Sequence, residues 1–133
     1  MSIFLATVTS IESCDSLHIV KFNAYGTTLS MMSLDLAQNI KIGTKVKLIV
    51  KPSHIAIAKN FSGDVSYSNK LSSTIIAIEN GQLLSSIELR FFDTVLESII
   101  TVASSKKMNL QVDDRVEAFI KASELSIAEV LDD

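Results

Sequence analysis

The chain states one phrase twice, and that repetition limits its fold more than any other feature. Ile42-Gly43-Thr44-Lys45-Val46-Lys47-Leu48-Ile49-Val50-Lys51-Pro52-Ser53 returns seventy positions later as Val112-Asp113-Asp114-Arg115-Val116-Glu117-Ala118-Phe119-Ile120-Lys121-Ala122-Ser123. Ahead of each copy stand two hydroxyl residues three apart, Ser30 with Ser33 and Thr101 with Ser104. An internal period of this kind means that one small unit is built twice, and that any site in it is duplicated. With 133 residues to share, each unit has about 65, a size at which a lone domain is only marginally stable. The expected division is a first module at 1–60 and a second at 66–129.

The repeated phrase is a strand. Val46, Leu48 and Val50 alternate with Lys45, Lys47 and Lys51, and Val116, Ala118 and Ile120 with Arg115, Glu117 and Lys121. Period-two alternation marks a half-buried strand. Ile49 and Phe119 interrupt the polar face at matched positions, which predicts that this face is covered by a module or subunit contact.

Earlier in each copy, Leu5 to Ile11 and Leu71 to Glu79 read as first strands. Leu17 to Asn23 and Leu83 to Phe91 read as second strands, and Gly26 to Met32 and Thr94 to Val102 as third strands. Asn80-Gly81 is a strong hairpin signal because both residues tolerate positive φ. Counted from Ile11 to Ser30 and from Ile78 to Thr101, the copies differ in hairpin length. A short helix is expected after each third strand, through Leu34, Leu36, Ala37 and Ile40 and through Ala103, Met108 and Leu110. Ser33 and Ser104 stand as N-caps, with Asp35 favouring the first turn. His54 to Ala58 and Glu124 to Ala128 would be fifth strands. The fold class is therefore all-β: two OB-like five-stranded β-barrel modules, each with one short helix. Lys59 to Asn69 reads as the linker, and Glu129 to Asp133 as a frayed acidic tail.

Composition narrows the function classes. The net charge is −3, without a cationic block, and there is no Trp. Both facts weigh against a nucleic-acid binder, which needs clustered Lys and Arg or stacking platforms. Cys14 is the single cysteine, so an intrachain disulfide or thiolate cluster is impossible. Met1 to Ser10 lacks the basic and long apolar regions of a signal peptide, and no apolar run is long enough for a membrane helix. A soluble cytoplasmic protein without membrane insertion is expected. Nearly half the residues are apolar, which predicts packing of the modules on each other and on further copies.

The residues that carry possible chemistry are hydroxyls and lysines. A strand that ends in Thr101 and enters a helix capped near Ser104 sets two hydroxyls beside free backbone N–H groups, a combination suited to anions. Ser30 and Ser33 offer the same in the first copy, although a serine at a helix start is commonly only a cap. Lys51-Pro52-Ser53 and Lys121-Ala122-Ser123 add a cation and a hydroxyl at a strand end. Lysine supplies charge without planar geometry, which suits a tetrahedral oxyanion. His18 and His54 lie in no metal-ligand spacing and read as solvent-facing or packed strand residues. No nucleophile–base arrangement or phosphate loop is present, and no catalytic residue is assigned.

Ser66-Tyr67-Ser68-Asn69, Ile100-Thr101-Val102-Ala103-Ser104, Val112-Asp113-Asp114-Arg115-Val116 and Ile120-Lys121-Ala122-Ser123 together resemble the Mop family of TOBE-type domains. The family pattern runs Ser-Ala-Arg-Asn, Ile-Thr-x-x-Ser, Val-Gly-Asp-x-Val and Ile-Lys-Ala-Ser. The resemblance covers nearly all of the second copy and most of the first, and tandem copies look like the di-Mop proteins. It implies a molybdate- or tungstate-binding protein of storage or homeostasis, not an enzyme, assembled as a homo-oligomer with a trimer favoured. Carried over by position, its oxyanion contacts would be Ser66, Tyr67, Ser68, Thr101, Ser104, Lys121 and Ser123, with Ser30, Ser33, Lys51 and Ser53 in the first copy. Ser68 replaces the family's Arg, and Met1-Ser2 leaves the first copy without a Ser-Ala-Arg-Asn segment. Two other readings compete. One is an oxyanion-sensing module that acts on a molybdate transporter ATPase or a separate transcription regulator. The other is an OB-fold for nucleic acid, which the acidic balance opposes.

Overall fold

A computed structural model of the chain describes residues 2–131. Ten strands, β1 (Ser2–Cys14), β2 (Leu17–Ala24), β3 (Thr27–Ser33), β4 (Lys45–Val50), β5 (Ala56–Ala58), β6 (Asn69–Asn80), β7 (Leu84–Phe91), β8 (Thr94–Thr101), β9 (Arg115–Ile120) and β10 (Ser126–Leu131), account for most of it. One α-helix, α1 (Val102–Lys107), and two short 3₁₀ turns, Pro52–His54 and Ala122–Glu124, are the helical elements among the described residues. The architecture is all-β, with two curled five-stranded sheets that form two OB-like modules.

Each long first strand serves two neighbours. Residues 2–7 of β1 pair with β4 and residues 7–14 with β2, and β6 divides in the same way between β9 and β7. A bulge falls between Val8 and Ser10 in β1 and between Ile75 and Ala77 in β6. The extra residue bends and twists the strand, which lets one strand turn the corner of a small barrel. Alternation then buries Phe4, Val8, Val20, Phe22, Leu29, Val46 and Leu48 in one module. In the other it buries Leu71, Ile75, Ile87, Leu89, Leu96, Val116 and Ala118. These side chains form one contiguous apolar cluster across both modules, so the halves share a core.

The sheets are completed crosswise. Their strand orders are β10-β4-β1-β2-β3 and β5-β9-β6-β7-β8. The last strand of the first repeat therefore pairs with β9, and the last strand of the second repeat pairs with β4. The turn at Pro52–His54 packs on β8, and its counterpart at Ala122–Glu124 packs on β3. Ile55 and Leu125, matched positions just past these turns, are both 2% exposed. The Ser98 hydroxyl donates to the Ile55 carbonyl at 2.6 Å, which pins the first of these crossings.

Several expectations need correction. The first repeat has no helix after its third strand. The hairpins set the alignment: Ala24 faces Thr27 as Phe91 faces Thr94, an offset of 67. Gly43 and Asp113, whose N–H groups donate to Val8 and Ile75, are offset by 70. The hairpins are thus equal in length, and the first repeat is three residues shorter between its third and fourth strands, nearly one helical turn. In the available length, Ser33 Oγ donates to the Asp35 carbonyl at 2.8 Å and accepts from the Asp35 N–H at 3.2 Å. This local turn competes with helix formation. In the second repeat Thr101, not Ser104, is the N-cap, and its side chain accepts the Ser104 N–H.

His54 and Glu124 sit in the 3₁₀ turns and not in strands, so the fifth strands start at Ala56 and Ser126. The frayed tail is also corrected: Glu129 to Leu131 belong to β10, and Glu129 pairs with Lys47 of β4 at 3.2 Å. Asp132 and Asp133 lie outside the described residues. Phe119 is covered, but by the rings of Phe61 and Tyr67 from the connecting segment at 5.1 and 5.5 Å and not by a module or subunit contact, and the matched Ile49 is only half-buried.

Candidate functional site

Crosswise pairing decides which of the repeated hydroxyls and lysines meet. Lys51 and Lys121 stand just before the 3₁₀ turns in extended conformation, and Ser53 and Ser123 lie within the turns. Each turn is carried to the other repeat. Lys121 thus shares a cleft of about 280 Å³ with Ser53, Tyr67, His54 and Glu124. Lys51 shares one of about 290 Å³ with Ser123, His54, Glu124 and Ser126. In both clefts the lysine comes from one repeat and the serine from the other. Lys51, Lys121, Ser53 and Ser123 are all exposed to solvent.

Between the clefts lies one histidine–carboxylate contact. His54 Nδ1 meets Glu124 Oε2 at 2.8 Å, with about a third of each side chain exposed. Both residues line both clefts. The arrangement has approximate twofold character, with the pair on the axis and a lysine–serine set on either side. A tetrahedral oxyanion in either cleft would meet an ammonium, a hydroxyl and the imidazole, opposed by the Glu124 carboxylate that the imidazole contacts.

A third cleft, of about 420 Å³, brings Ser33 beside Ser123, between Met31, Asp35, Leu36 and β10. Thr101 and Ser104 lie together, but their hydroxyls bond each other at 2.9 Å and Thr101 Oγ1 accepts the Ser104 N–H at 3.1 Å. Their hydrogen-bonding capacity is partly spent on the cap of α1. Ile100, the residue before Thr101, lines the Lys121 cleft.

Ser30 lies apart from that pattern. By hairpin register its counterpart is Glu97 and not Thr101. The Ser30 N–H donates to Asn69 Oδ1 at 2.6 Å, and Asn69 Nδ2 donates to the Ser30 carbonyl at 2.9 Å. The matching bond across the molecule runs from the Glu97 N–H to Ser2 Oγ at 2.9 Å. Ser66 and Ser68 are exposed on the connecting segment and half-buried Tyr67 turns into the Lys121 cleft.

Sequence reasoning overlooked three residues here. Asn69, the first residue of β6, ties that strand to β3, and His54 and Glu124 join the two lysine clefts. The signal for the last two was their seventy-residue spacing within the repeat, with opposite charge types at one position.

The opposite end of the connecting segment is fixed by charge. Lys59 Nζ contacts Asp114 Oδ2 at 2.9 Å and donates to the Asn109 carbonyl at 2.7 Å. The Lys59 hydrogen bond, followed by the Gln111 N–H, holds the Asp114 carboxyl below its ordinary value.

Fold and clefts together define a tandem β-barrel protein with a lysine–serine cleft in each half. Residues 66–127 match the family model for the TOBE domain, and the second module is a TOBE domain. Among solved structures, the chain is similar to the cytoplasmic molybdate-binding protein ModG in a crystal form with molybdate bound. The TM-score is 0.89 at 24% identity, over 94% of this chain and 93% of that one, so the two share a fold along their whole length. It is also similar to a molybdate-binding protein from Sporomusa ovata at 33% identity, over 53% of this chain and 100% of that one, with a TM-score of 0.47. No curated protein matches the sequence.

Proposed function

We propose that the chain binds molybdate or tungstate in the cytoplasm and holds it as a store or buffer, without chemical change. The observation that carries this reading is the crosswise delivery of Lys51 to Ser123 and of Lys121 to Ser53, with Tyr67 lining the second of these clefts. A dianion needs donors and positive charge in a recess that limits water, and charge-assisted hydrogen bonds contribute about 1.5–3 kcal/mol each. Each cleft offers an ammonium, a hydroxyl and the shared His54. The TOBE domain at 66–127 and the molybdate-binding activity named for ModG support the choice of ligand.

The proposed assembly is a homo-oligomer, with a trimer of two-module chains favoured by the Mop resemblance. Ile42 and Val112, matched positions ahead of the fourth strands, are 71% and 52% exposed. Apolar residues exposed at the same place in both repeats are suited to contacts with further copies. Such contacts would bring additional donors over the open clefts, and Ser66, Ser68, Thr101 and Ser104 are placed at the surface to take part.

Calorimetry of the full chain with molybdate, tungstate and sulfate tests the reading. Heat from the first two, and a weaker response to sulfate, is expected; no heat from either molybdate or tungstate would end it.

A further inference from the structure

The outer face of the second sheet carries a cationic cleft that the oxyanion reading does not use. Lys70, Ser72 and Thr74 from β6, Arg90 from β7 and Arg115 from β9 line about 490 Å³, closed at one end by Phe91 and Phe92. Thr27 of the first module reaches its edge. Thr74 is directly paired with Arg90 on one side and Arg115 on the other. Two guanidinium groups therefore flank one hydroxyl, each a strand spacing of about 4.8 Å away at the backbone. Lys70 lies four residues back along β6, roughly 13 Å at strand rise. All three cations are exposed, and none has an ion-pair partner among the described residues. Glu117, directly paired with Ser72, accepts the Ser72 hydroxyl at 2.9 and 3.2 Å and keeps its charge beside the cleft, outside its lining.

The first repeat provides an internal control. At the same register positions it carries Ile3 for Lys70, Leu5 for Ser72, Thr7 for Thr74, Asn23 for Arg90 and Lys45 for Arg115. The same fold forms there with two apolar residues and fewer cations, so folding does not require the charges. The lining of the cleft itself holds three cations and no carboxylate in a chain of net charge −3, a local excess that attracts anions.

Size and shape narrow the ligand. The cleft falls in the range of small-molecule sites, about 300–1,000 Å³, and its cations are spread too far for one tetrahedral oxyanion to touch all of them. Arginine binds phosphate groups in bidentate fashion. At the Arg90 end, Phe92 is 55% exposed at a hairpin tip, held against Tyr25 in a parallel stack at 5.1 Å. We infer that this face is a separate site for a phosphorylated aromatic metabolite of the nucleoside di- or triphosphate class. The ring lies against Phe92, and the phosphates run along Arg90, Thr74 and Arg115 toward Lys70. This site does not depend on the oxyanion reading.

Titration calorimetry of the full chain with ATP, inorganic tripolyphosphate, molybdate and an acidic oligoglutamate peptide tests it. ATP should bind, and the double variant R90Q/R115Q should weaken it at least about tenfold, equivalent to about 1.4 kcal/mol. Its thermal midpoint and its response to molybdate should stay at the wild-type values. Lys70→Gln, a milder change, should weaken ATP more than AMP. Phe92→Leu should weaken ATP and leave tripolyphosphate unchanged. The inference is overturned by no ATP binding at about 5 mM, far above typical metabolite affinities. It is equally overturned by ATP binding that ignores all three cation changes, by tripolyphosphate binding as tightly as ATP, or by the peptide outcompeting ATP.

Discussion

His54 and Glu124 occupy one and the same position of the two repeats, yet they meet face to face, Nδ1 to Oε2, at 2.8 Å. Equivalent residues can touch only at an axis that exchanges the repeats, so this pair marks the centre of the lysine clefts. Tyr25 and Phe92, also matched, stack at 5.1 Å and mark a second contact of the same kind. The charge of Glu124 acts on both clefts. At about 8 Å and an effective dielectric of 20, one unit charge changes the energy of another by roughly 2 kcal/mol. Glu124→Gln should therefore tighten molybdate binding by at least about thirtyfold, and His54→Gln, which removes a hydrogen-bond donor common to both clefts, should weaken it. Calorimetry on both variants checks the opposite signs.

Lys51 and Lys121 should each be worth one charge-assisted contact. Neither has an ion-pair partner among the described residues, so removal leaves no orphaned carboxylate. Lys51→Gln and Lys121→Gln should each weaken one set of sites by about 10- to 100-fold, with little change in thermal midpoint. Two-site titration curves should show the loss of one class of site in each variant.

These expectations show which parts of the molecule were legible beforehand. The strands were readable because alternation at Val46, Leu48 and Val50 follows directly from one buried face. The pairing partners of β5 and β10 were not, since nothing local distinguishes a strand that completes its own barrel from one that completes its neighbour's. The first-repeat helix was misread because apolar residues at Leu34, Leu36, Ala37 and Ile40 imitate helical spacing. Only the hairpin register shows that three residues are missing there. The same register separates Ser30 from Thr101. Lys51, Ser53, Lys121 and Ser123 were legible as candidates because they flank a repeated strand. Their crosswise meeting through Ile55 and Leu125 was a property of topology.

The clasp between Lys59 and Asp114 should give stability a dependence on acid. Its hydrogen bonds hold the Asp114 carboxyl below the ordinary 3.8. A group with a depressed folded value stabilises the fold above its unfolded value and loses that contribution as pH falls through the folded one. Denaturant midpoints should therefore be flat in this respect near neutrality and fall below about pH 3.8. Asp114→Asn should flatten part of that fall, and the difference between the two curves measures the clasp.

Gly43 and Asp113 share a backbone role with different side chains. Both have positive φ, +94° and +77°, and both donate their N–H to the bulged first strand, to Val8 and Ile75, at 2.8 Å. Only glycine adopts this region without steric cost. A Cβ added at Gly43 meets nothing within 4 Å, so the backbone and not crowding sets the difference. Asp113→Gly should raise stability by about 0.5–1 kcal/mol and Gly43→Asp should lower it by about 1 kcal/mol. Urea unfolding of the two variants gives both values, and equal signs would contradict this account.

The strand exchange makes a prediction for a single repeat. Residues 66–133 alone contain β6 to β10 but lack β5, so the outer edge of β9 is left without a partner. Their own β10 is built to cover β4, a strand that the fragment does not have. In the fragment the equivalent acceptor is β9 of a second copy, because β4 and β9 are matched positions of the repeat. An uncovered edge favours pairing with another chain, and here both chains can donate and accept. The fragment should therefore form a twofold dimer in which each β10 completes the other copy's sheet, burying Leu125 in the partner as it is buried in the full chain. Light scattering after size exclusion should report a dimer. Leu125→Ala should shift it toward monomer or unfolded chain, since loss of a buried leucine costs about 2–5 kcal/mol. A stable monomer of the unsubstituted fragment would show that β10 can fold back on its own repeat, and would remove the topological reason for Lys51 to meet Ser123.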